Sequence, residues 1–215
     1  MTKKLLITLS IIALFANDTK ASDNNSATHD EGVVINGVRW ATRNVDMPGT
    51  FAETSKDMGM LFQWNRRKAW NAVDRNVEDW DSSIPTGRRW YTENDPCPPN
   101  WRVPNLAELH SLVGSGSILT TKNGIYGRLF GTAPNQIFLP EVNSRDADGR
   151  IFSRRATIRY WSSTQSSTRA RGITHSQTSI PSGATVAFAL LGHNNVLQIH
   201  HSWRLSGHSI RCVAK

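Results

Sequence analysis

The sequence has only two cysteines and, beyond its first residues, no long apolar segment. Cys97 and Cys212 are far from the Cys-x-x-Cys spacing of a redox pair. No stretch after residue 21 has the roughly 18 consecutive apolar residues of a membrane-spanning helix, so none is expected in the mature chain. The sequence also has no glycine-rich phosphate loop and no nucleic-acid-binding motif. We therefore expect no cofactor and no nucleic-acid partner.

The first residues have the composition of an export signal. Met1 to Lys4 include two lysines, Leu5 to Ala16 are almost entirely apolar, and small polar residues follow. This order is typical of a secretory signal peptide, so we expect residues 1–21 to be removed by cleavage after Ala21. The protein is then expected to be secreted or held at the outer cell surface, with the periplasm as the alternative.

One domain is expected after this leader. Residues 22–32 are rich in Asn, Asp and Ser and predict a disordered lead-in, while residues 33–215 have the length of a single domain. In an oxidising compartment the two cysteines predict one disulfide, Cys97–Cys212, which would join the middle of the chain to its last strand. Two free thiols remain the alternative.

Positive charge is concentrated in the last third of the chain. Residues 145–215 contain ten Lys and Arg residues but only two acidic residues, Asp146 and Asp148. Residues 22–144 contain 12 basic and 14 acidic residues. A basic surface attracts acidic partners such as anionic polysaccharides. An ordinary solvated surface has the same composition, so both interpretations stay open.

Short strands are predicted along most of the domain. Residues 33–35 and 38–41 flank Asn36-Gly37, which is a strong hairpin signal. In residues 184–191 the alternate apolar side chains Val186, Phe188 and Leu190 fall on one face, as in a strand with one buried side. The alternation in residues 60–64 indicates a half-buried strand. The further expected strands are residues 137–140, 160–164, 196–200 and 208–213.

One helix has clear boundary signals. Asn105 is a suitable N-cap, Glu108 three residues later completes a capping box, and Gly114 to Gly116 end the helix. Before it, residues 65–96 are irregular but contain three tryptophans, which we expect to hold a long ordered loop in place by burial. The predicted class is therefore α+β, with much ordered loop, short antiparallel strands and few helices.

Six segments form a series along the chain: GVRWATRNV (37–45), GMLFQWN (59–65), NDPCPPNWRVP (94–104), FLP (138–140), YWSST (160–164) and SIRCV (209–213). Together they resemble the Fibrobacter succinogenes major paralogous domain family, in the family's order and over about residues 33–214. The resemblance implies a C-type-lectin-like fold in which a disulfide brackets the domain from the helical region to the final strand. It also implies an exported or surface protein, since some members have adhesive or fimbrial roles.

The tail carries a narrower resemblance. Residues 161–213 are similar to the variable region of target proteins diversified by bacterial retroelements, in which surface positions change on a constant lectin-like scaffold. The stretch at residues 166–183 is longer than that resemblance would suggest. Framework roles are expected for Trp101, Leu106, Leu109, Trp161, Phe188 and Ile210. The candidate ligand-facing residues are Gln165, His193, Asn195, Gln198, His200, Trp203 and Arg204.

Signals for catalysis and for metal binding are weak. The candidates are the carboxylates of residues 78–81 beside Trp80, the Ser162-Ser163 pair, the turn Asp146-x-Asp148-Gly149, and the histidines of the tail. The carboxylates have no fixed geometry, the serines lack the glycines of a nucleophile elbow, and the turn lacks the distal glutamate of an EF-hand. Adjacent histidines on a strand point to opposite faces. We expect neither a metal site nor an enzyme.

The sequence as a whole predicts a non-catalytic ligand-binding protein. It would use the loops of its C-terminal third to recognise a cell-surface glycan or protein, and the charge allows an acidic partner. It would act as an adhesin or as a diversified receptor. The alternatives are a fimbrial tip or assembly subunit and, with less support, an enzyme acting on polysaccharides.

Overall fold

The structure is a computed structural model that describes residues 26–152, 157–169 and 185–215. The fold is mostly β, with several antiparallel sheets, short helices and the Cys97–Cys212 disulfide between its middle and its C-terminus. The expected short antiparallel strands, few helices and disulfide are confirmed, although strands predominate more than an α+β class suggests. The predicted signal peptide lies outside the described residues. In the described ranges, no helix has the length and apolarity needed to cross a membrane.

The strands of the described residues are, in chain order, β1 (Val33–Ile35), β2 (Val38–Trp40), β3 (Leu61–Gln63), β4 (Ala69–Trp70), β5 (Trp101–Arg102), β6 (Ser117–Lys122), β7 (Ile125–Thr132), β8 (Asn135–Pro140), β9 (Ser144–Arg145), β10 (Ile151–Phe152), β11 (Thr157–Arg169), β12 (Thr185–His193), β13 (Val196–Trp203), β14 (Gly207–His208) and β15 (Val213–Ala214). The helix α1 spans Leu106–Gly114, and a 3-10 helix spans Thr92–Asn94.

The first sheet has the order β1-β2-β15-β5 and contains the predicted hairpin. Asn36 and Gly37 adopt φ values of 48° and 79°, the left-handed conformation that a tight two-residue turn requires. β15 pairs with both β2 and β5. The disulfide joins the segment just before β15 to the loop that leads into β5, with 6.1 Å between the two Cα atoms. It therefore crosslinks neighbouring strands of one sheet.

The second sheet has the order β10-β9-β14-β3-β4, so β3 lies between β14 and β4. The half-buried strand expected here is wrong, because all three residues of β3 are buried. The polar position, Gln63, is satisfied inside the protein. Its Nε2 atom donates to the carbonyls of Asp81 at 2.8 Å and Leu205 at 3.1 Å. The Gln63 side-chain amide thus satisfies the hydrogen-bonding groups of two loops that would otherwise need water.

Helix α1 begins and ends as its sequence predicts. The Asn105 side chain accepts a hydrogen bond from the Glu108 backbone N–H at 2.9 Å, and the Glu108 carboxylate accepts one from the Asn105 N–H at 2.7 Å. This reciprocal pair is the capping box. Leu109 and Leu112 are buried, and the helix packs on β7, β11 and β13. Gly116 follows the helix at φ 79°.

The third sheet has the order β11-β12-β13 and separates two parts of the core. Tyr160 and Leu190 face the cluster that contains α1, whereas Trp161 and Ala189 face the cluster around the disulfide. The expectation of a single buried face on β12 is therefore wrong, since the small residues between its large apolar residues are buried too. Phe188, expected in the framework, is only half-buried and packs on the ring of His201.

The fourth sheet, β6-β7-β8, includes a hairpin that the sequence analysis missed. The sequence analysis assigned no strand to residues 117–132, yet they form two strands that pair along six residues. The turn between them is Asn123-Gly124, with φ values of 51° and 82°. This is the same dipeptide that marked the first hairpin, so the signal was present.

The N-terminal lead-in is described from residue 26 onward, and there it packs on the domain. Asp30 is buried, and its carboxylate accepts hydrogen bonds from the Gly32 N–H at 2.9 Å and from the Thr42 hydroxyl at 2.9 Å. It also pairs with Arg43 at 3.3 Å. The disorder expected for residues 22–32 therefore does not apply to residues 26–32, and the ordered domain begins before residue 33.

The tryptophans of the long loop hold it in place, as expected. Trp70 and Trp90 are buried, and Trp80 packs on Trp70 with 4.7 Å between ring centroids. The indole N–H of Trp80 donates to the Ala147 carbonyl at 2.9 Å. The loop is thereby attached to the turn between β9 and β10.

Buried arginines hold further loops. Arg145 and Arg204 are buried, and their guanidinium groups donate to main-chain carbonyls, at 2.6 Å to Gly149 and 2.8 Å to Gly87 respectively. Burial lowers the pKa of both side chains. Carbonyl oxygens of irregular segments thus obtain the hydrogen-bond partners that secondary structure would otherwise supply.

Candidate functional site

One face of the third sheet is polar and partly open. Side chains alternate along a strand, and the register pairs Arg159 with Leu191, Leu191 with Gln198, and Ala189 with His200. These side chains therefore share a face with Ser202, two residues beyond His200. We call this the polar face and define it by Arg159, Leu191, His193, Gln198, His200 and Ser202. Near Trp161 the same face enters the core, so only its outer part is accessible.

A pocket of about 200 Å³ lies where the polar face meets the turn between β9 and β10. The polar face contributes Arg159, Leu191, His200 and Ser202 to its walls. The turn contributes Asp146 and Ala147, and the chain after β13 contributes Ser206 and His208. Main-chain or side-chain atoms of Ala189, Leu190, His201 and Trp203 complete the lining. Apolar and polar groups thus surround one small concave site.

The floor of the pocket is a fixed serine–histidine pair. His208 is 1% exposed, and its ring packs on Trp161 with 4.3 Å between centroids. Its Nδ1 atom lies 2.8 Å from the Gly207 carbonyl, and its Nε2 atom lies 2.6 Å from Ser202 Oγ. A carbonyl only accepts, so Nδ1 donates to it, and a ring that is neutral in this tautomer accepts a hydrogen bond from the Ser202 hydroxyl at Nε2. Ser202 and His208 are both among the residues that line the pocket.

Among the described residues, the pocket is lined by one cationic side chain, Arg159, and one carboxylate, Asp146. The guanidinium of Arg159 lies over the ring of Phe152, 5.2 Å from its centroid. Strands β11, β12 and β13 contain no Asp or Glu in their sequences, and no other carboxylate lines the pocket in the described part of the chain. An exposed histidine, His200, lies beside them. Of the ten basic residues of the last third, Arg159 is the one that lies on the described part of the polar face, whereas Arg145, Arg204 and Arg211 are buried.

Four of the predicted ligand-facing residues lie on or beside the polar face. Gln198 and His200 are exposed on β13, and Asn195 is exposed in the turn that precedes it. His193 lies at the end of β12, where its Nδ1 atom is 3.2 Å from Thr157 Oγ1. The structure thus places His193, Gln198 and His200 on one side of the sheet, with Asn195 in the turn beside them.

The other three predicted residues lie elsewhere. Arg204 is buried, donating to the Pro85 carbonyl at 3.3 Å and to Gln165 Oε1 at 3.1 Å, so it holds the loop and Gln165 in place. Trp203 is also buried, and its side chain is on the opposite face from Ser202 because neighbouring residues of a strand alternate. Their residue types suit a binding site, but their burial gives them structural roles.

Several residues of the pocket were missed. Ser202 lies two residues after His200 on β13, so strand alternation puts both side chains on the same face. The sequence pattern was therefore sufficient to predict the position of Ser202. Arg159 and Asp146 come from elements whose pairing only the tertiary structure specifies. His208 was noted only as one member of a histidine cluster.

The residues considered for catalysis and metal binding do not form a second site. Burial raises the pKa of Asp81, but hydrogen bonds from Ser83 and Arg66 outweigh that effect and lower it overall, so this carboxyl is unsuited to act as an acid. Ser162 is buried, and its Oγ accepts a hydrogen bond from the Thr164 N–H at 3.1 Å. In the described part of the chain, no three His, Cys, Asp or Glu residues are grouped to hold a metal ion.

Comparison with protein-family models, with curated proteins and with solved structures found no match. The resemblance read from the sequence therefore stays a prediction.

Proposed function

We propose that this protein is an exported, lectin-like binding protein that recognises a glycan or protein on a surface through the polar face and its pocket. The observation that carries the proposal is the pocket itself. It combines an apolar wall from Ala189 and Leu191 with hydrogen-bonding groups of Ser202 and Arg159, the composition expected of a site for a polar ligand. Exposed Gln198 and His200 extend the surface beyond it.

Several features support the C-type-lectin-like assignment. The disulfide joins the segment before α1 to the last strand, in agreement with the arrangement that the family resemblance implies. The long irregular segments are ordered by buried tryptophans and arginines, as in a loop-rich binding domain. The apolar segment at residues 5–16 supports export, because secreted proteins carry such leaders and keep their disulfides.

Binding assays test this proposal. The mature chain, residues 22–215, is applied to a glycan array and to bacterial and host cells, and bound protein is measured. We expect retention on one class of surface and a loss of about tenfold in affinity for His200→Ala, because exposed residues at a binding face contribute strongly when they contact the ligand. His110→Ala, an exposed histidine on α1, is the matched control and should bind like the wild type. Absence of binding to every surface would overturn the proposal.

The Ser202–His208 pair supports an enzyme as the second candidate. A serine hydroxyl that donates to a histidine of fixed tautomer is the first part of a hydrolytic site, and the pair lies in the pocket. The test is hydrolysis of p-nitrophenyl acetate and of acetylated polysaccharide, compared with Ser202→Ala. We expect binding without turnover, so a wild-type rate above that of Ser202→Ala would favour the enzyme.

The retroelement resemblance gives a separate test. If the protein is a diversified receptor, related strains should differ at Asn195, Gln198 and His200, which are exposed. Trp203 and Arg204 should stay constant, because they are buried. Sequencing the locus in sibling strains decides this, and an invariant tail would exclude diversification.

A further inference from the structure

Two Asn-Gly turns of the described residues have the same backbone conformation. Asn36 and Gly37 join β1 to β2, and Asn123 and Gly124 join β6 to β7. The φ values are 48° and 79° in the first turn and 51° and 82° in the second. All four residues are exposed, and a Cβ built at either glycine would have no atom within 4 Å. The turns therefore form a matched pair, and a difference in their chemistry must come from what holds each of them.

An asparagine that precedes a glycine can react with its own main chain. The backbone nitrogen of the glycine attacks the side-chain carbonyl carbon of the asparagine, and a C–N bond closes a five-membered succinimide ring. The proton of that nitrogen leaves with the amide group as ammonia. Water then opens the ring at either carbonyl and gives aspartate or isoaspartate. Glycine has no Cβ to obstruct the attack, and asparagine is accordingly one of the thermolabile residues.

The first turn is held by its side chain and by packed neighbours. Asn36 Nδ2 donates to the Ser111 carbonyl of α1 at 3.0 Å. The residues that flank the turn pair with each other, and of these Ile35 is buried and Val38 half-buried. The hairpin also belongs to a four-stranded sheet, in which β15 pairs with β2. To react, the Asn36 amide must lose its hydrogen bond and the turn must move against this packing.

The second turn lacks these restraints. In the part of the chain that the structure describes, no hydrogen bond holds the Asn123 side chain. The pair that flanks this turn, Lys122 and Ile125, is exposed on both strands. Segments with few buried apolar contacts open locally at a low free-energy cost. Local motion of the hairpin tip is therefore sufficient to bring the Asn123 side chain to the Gly124 nitrogen.

From this contrast we propose that Asn123 is a site of spontaneous deamidation and that the structure protects Asn36. The product has a carboxylate at the tip of the β6–β7 hairpin, next to Lys122, whose Nζ atom lies 3.2 Å from Ser55 Oγ. Isoaspartate also adds one carbon to the main chain, so the tight turn cannot persist and the end of the hairpin must rearrange. The polar face belongs to another sheet, so this inference is independent of the proposed binding function.

The test is the rate of conversion at each site in the folded protein. The oxidised mature chain is incubated at mildly alkaline pH in heavy-oxygen water, so that product formed later, during digestion, carries no label. Tandem mass spectrometry of tryptic peptides gives the labelled fraction at Asn36 and at Asn123. We expect Asn123 to react at least about twofold faster, the factor equivalent to ~0.5 kcal/mol, the lower limit for one hydrogen bond. Equal rates, or faster conversion of Asn36, would overturn the inference.

The unfolded chain is the control for effects of local sequence. In urea, with the disulfide reduced, the contact of Asn36 with the Ser111 carbonyl is absent, so the two sites should react at similar rates. A preference for Asn123 that is as large in the unfolded chain as in the folded one would show that neighbouring residues cause it, and would refute protection by the structure. A folded chain that converts neither site while the unfolded chain converts both would refute the reactivity of Asn123.

Variants identify the reacting group. Asn123→Gln lengthens the side chain by one methylene and disfavours the five-membered ring, so labelled product at this position should disappear. Asn194→Gln changes a turn residue of similar φ, 49°, that precedes Asn195 instead of glycine, and should leave the rate at Asn123 unchanged. Circular dichroism confirms that both variants are folded, and the measurement in urea covers the case in which Asn123→Gln is not. Conversion of Asn123→Gln at the wild-type rate would contradict the mechanism.

Discussion

Arg211 is a buried charge whose hydrogen bonds connect distant parts of the fold. It is 1% exposed, and its guanidinium donates to Asn44 Oδ1 at 2.7 and 3.0 Å. It also donates to the carbonyls of Ala41 at 3.2 Å and Phe138 at 3.1 Å. Burial lowers the pKa of Arg211, and none of the ion pairs within the described residues includes it. Arg211→Met keeps much of the side-chain volume and removes every donor.

The size of the effect follows from these contacts. The substitution leaves three buried acceptors without this donor, and an unsatisfied buried acceptor costs ~1–3 kcal/mol. Removing the ion from the interior offsets part of that loss, since desolvating a charge costs several kcal/mol. Three such acceptors together cost ~3–9 kcal/mol, and with this offset we expect the free energy of unfolding to fall by about 3–5 kcal/mol.

Urea unfolding of the oxidised mature chain, followed by tryptophan fluorescence, measures this difference. Arg150→Met is the matched control, because the Arg150 side chain is 74% exposed and lies in a turn. Its substitution should change the stability by less than about 0.5 kcal/mol. Equal slopes against urea for the three proteins show that the change is one of stability.

One result for Arg211→Met would contradict the expected loss of stability. If Arg211→Met is as stable as the wild type or more stable, then desolvation of the buried ion outweighs its hydrogen bonds, as it does for some buried ion pairs. A double-mutant cycle with Asn44→Ala adds a second check, because residues that share hydrogen bonds should show a coupling of about 1 kcal/mol or more.

Three further predictions concern the framework. Replacing Cys97 and Cys212 by serine should lower the stability of the oxidised chain by ~5 kcal/mol, since the disulfide closes a loop of 115 residues; an unchanged urea midpoint would contradict this. Asn105→Ala should cost about 1 kcal/mol through loss of the capping box, and a neutral result in the same assay would show that the cap is dispensable. Gly59→Ala should cost more than ~2 kcal/mol, because Gly59 has φ +63° and an added Cβ would lie 2.2 Å from the Val45 carbonyl oxygen; normal thermal unfolding would refute it.

Local structure was predictable where the signal lies in adjacent residues. The Asn36-Gly37 hairpin and the α1 capping box were both read from a few neighbouring positions, and both are present. The second hairpin carried the same signal in Asn123-Gly124 but was overlooked. A turn dipeptide is thus informative even when its flanking residues lack a clear apolar alternation.

Burial of polar residues was harder to predict. Gln63 and Arg204 are long polar side chains whose sequence context gives no sign of burial, yet carbonyls of distant loops satisfy both. Those carbonyls belong to segments far away in sequence, so only the tertiary structure brings them together. The same reason explains why Arg204 was mistaken for a ligand-facing residue.

The candidate site was predictable in part. The period of two along β13 relates Gln198, His200 and Ser202, and the exposed residues among them were named. The pocket was not predictable, because it depends on the register that brings Arg159 beside this strand and on the packing of the turn that holds Asp146. A single sequence does not specify which strands pair when those strands lie far apart along the chain.

The central claim, that ligand is bound at the polar face, is tested most directly by cell binding of two sets of alanine variants. One set changes Gln198 and His200 on the polar face. The other changes Ile118 and Tyr126 on the β6–β7 hairpin, which are large apolar residues exposed by 61% and 50%. The account predicts that the first set lowers binding about tenfold while the second binds like the wild type. Loss of binding in the hairpin set, with the polar-face set unaffected, would contradict it.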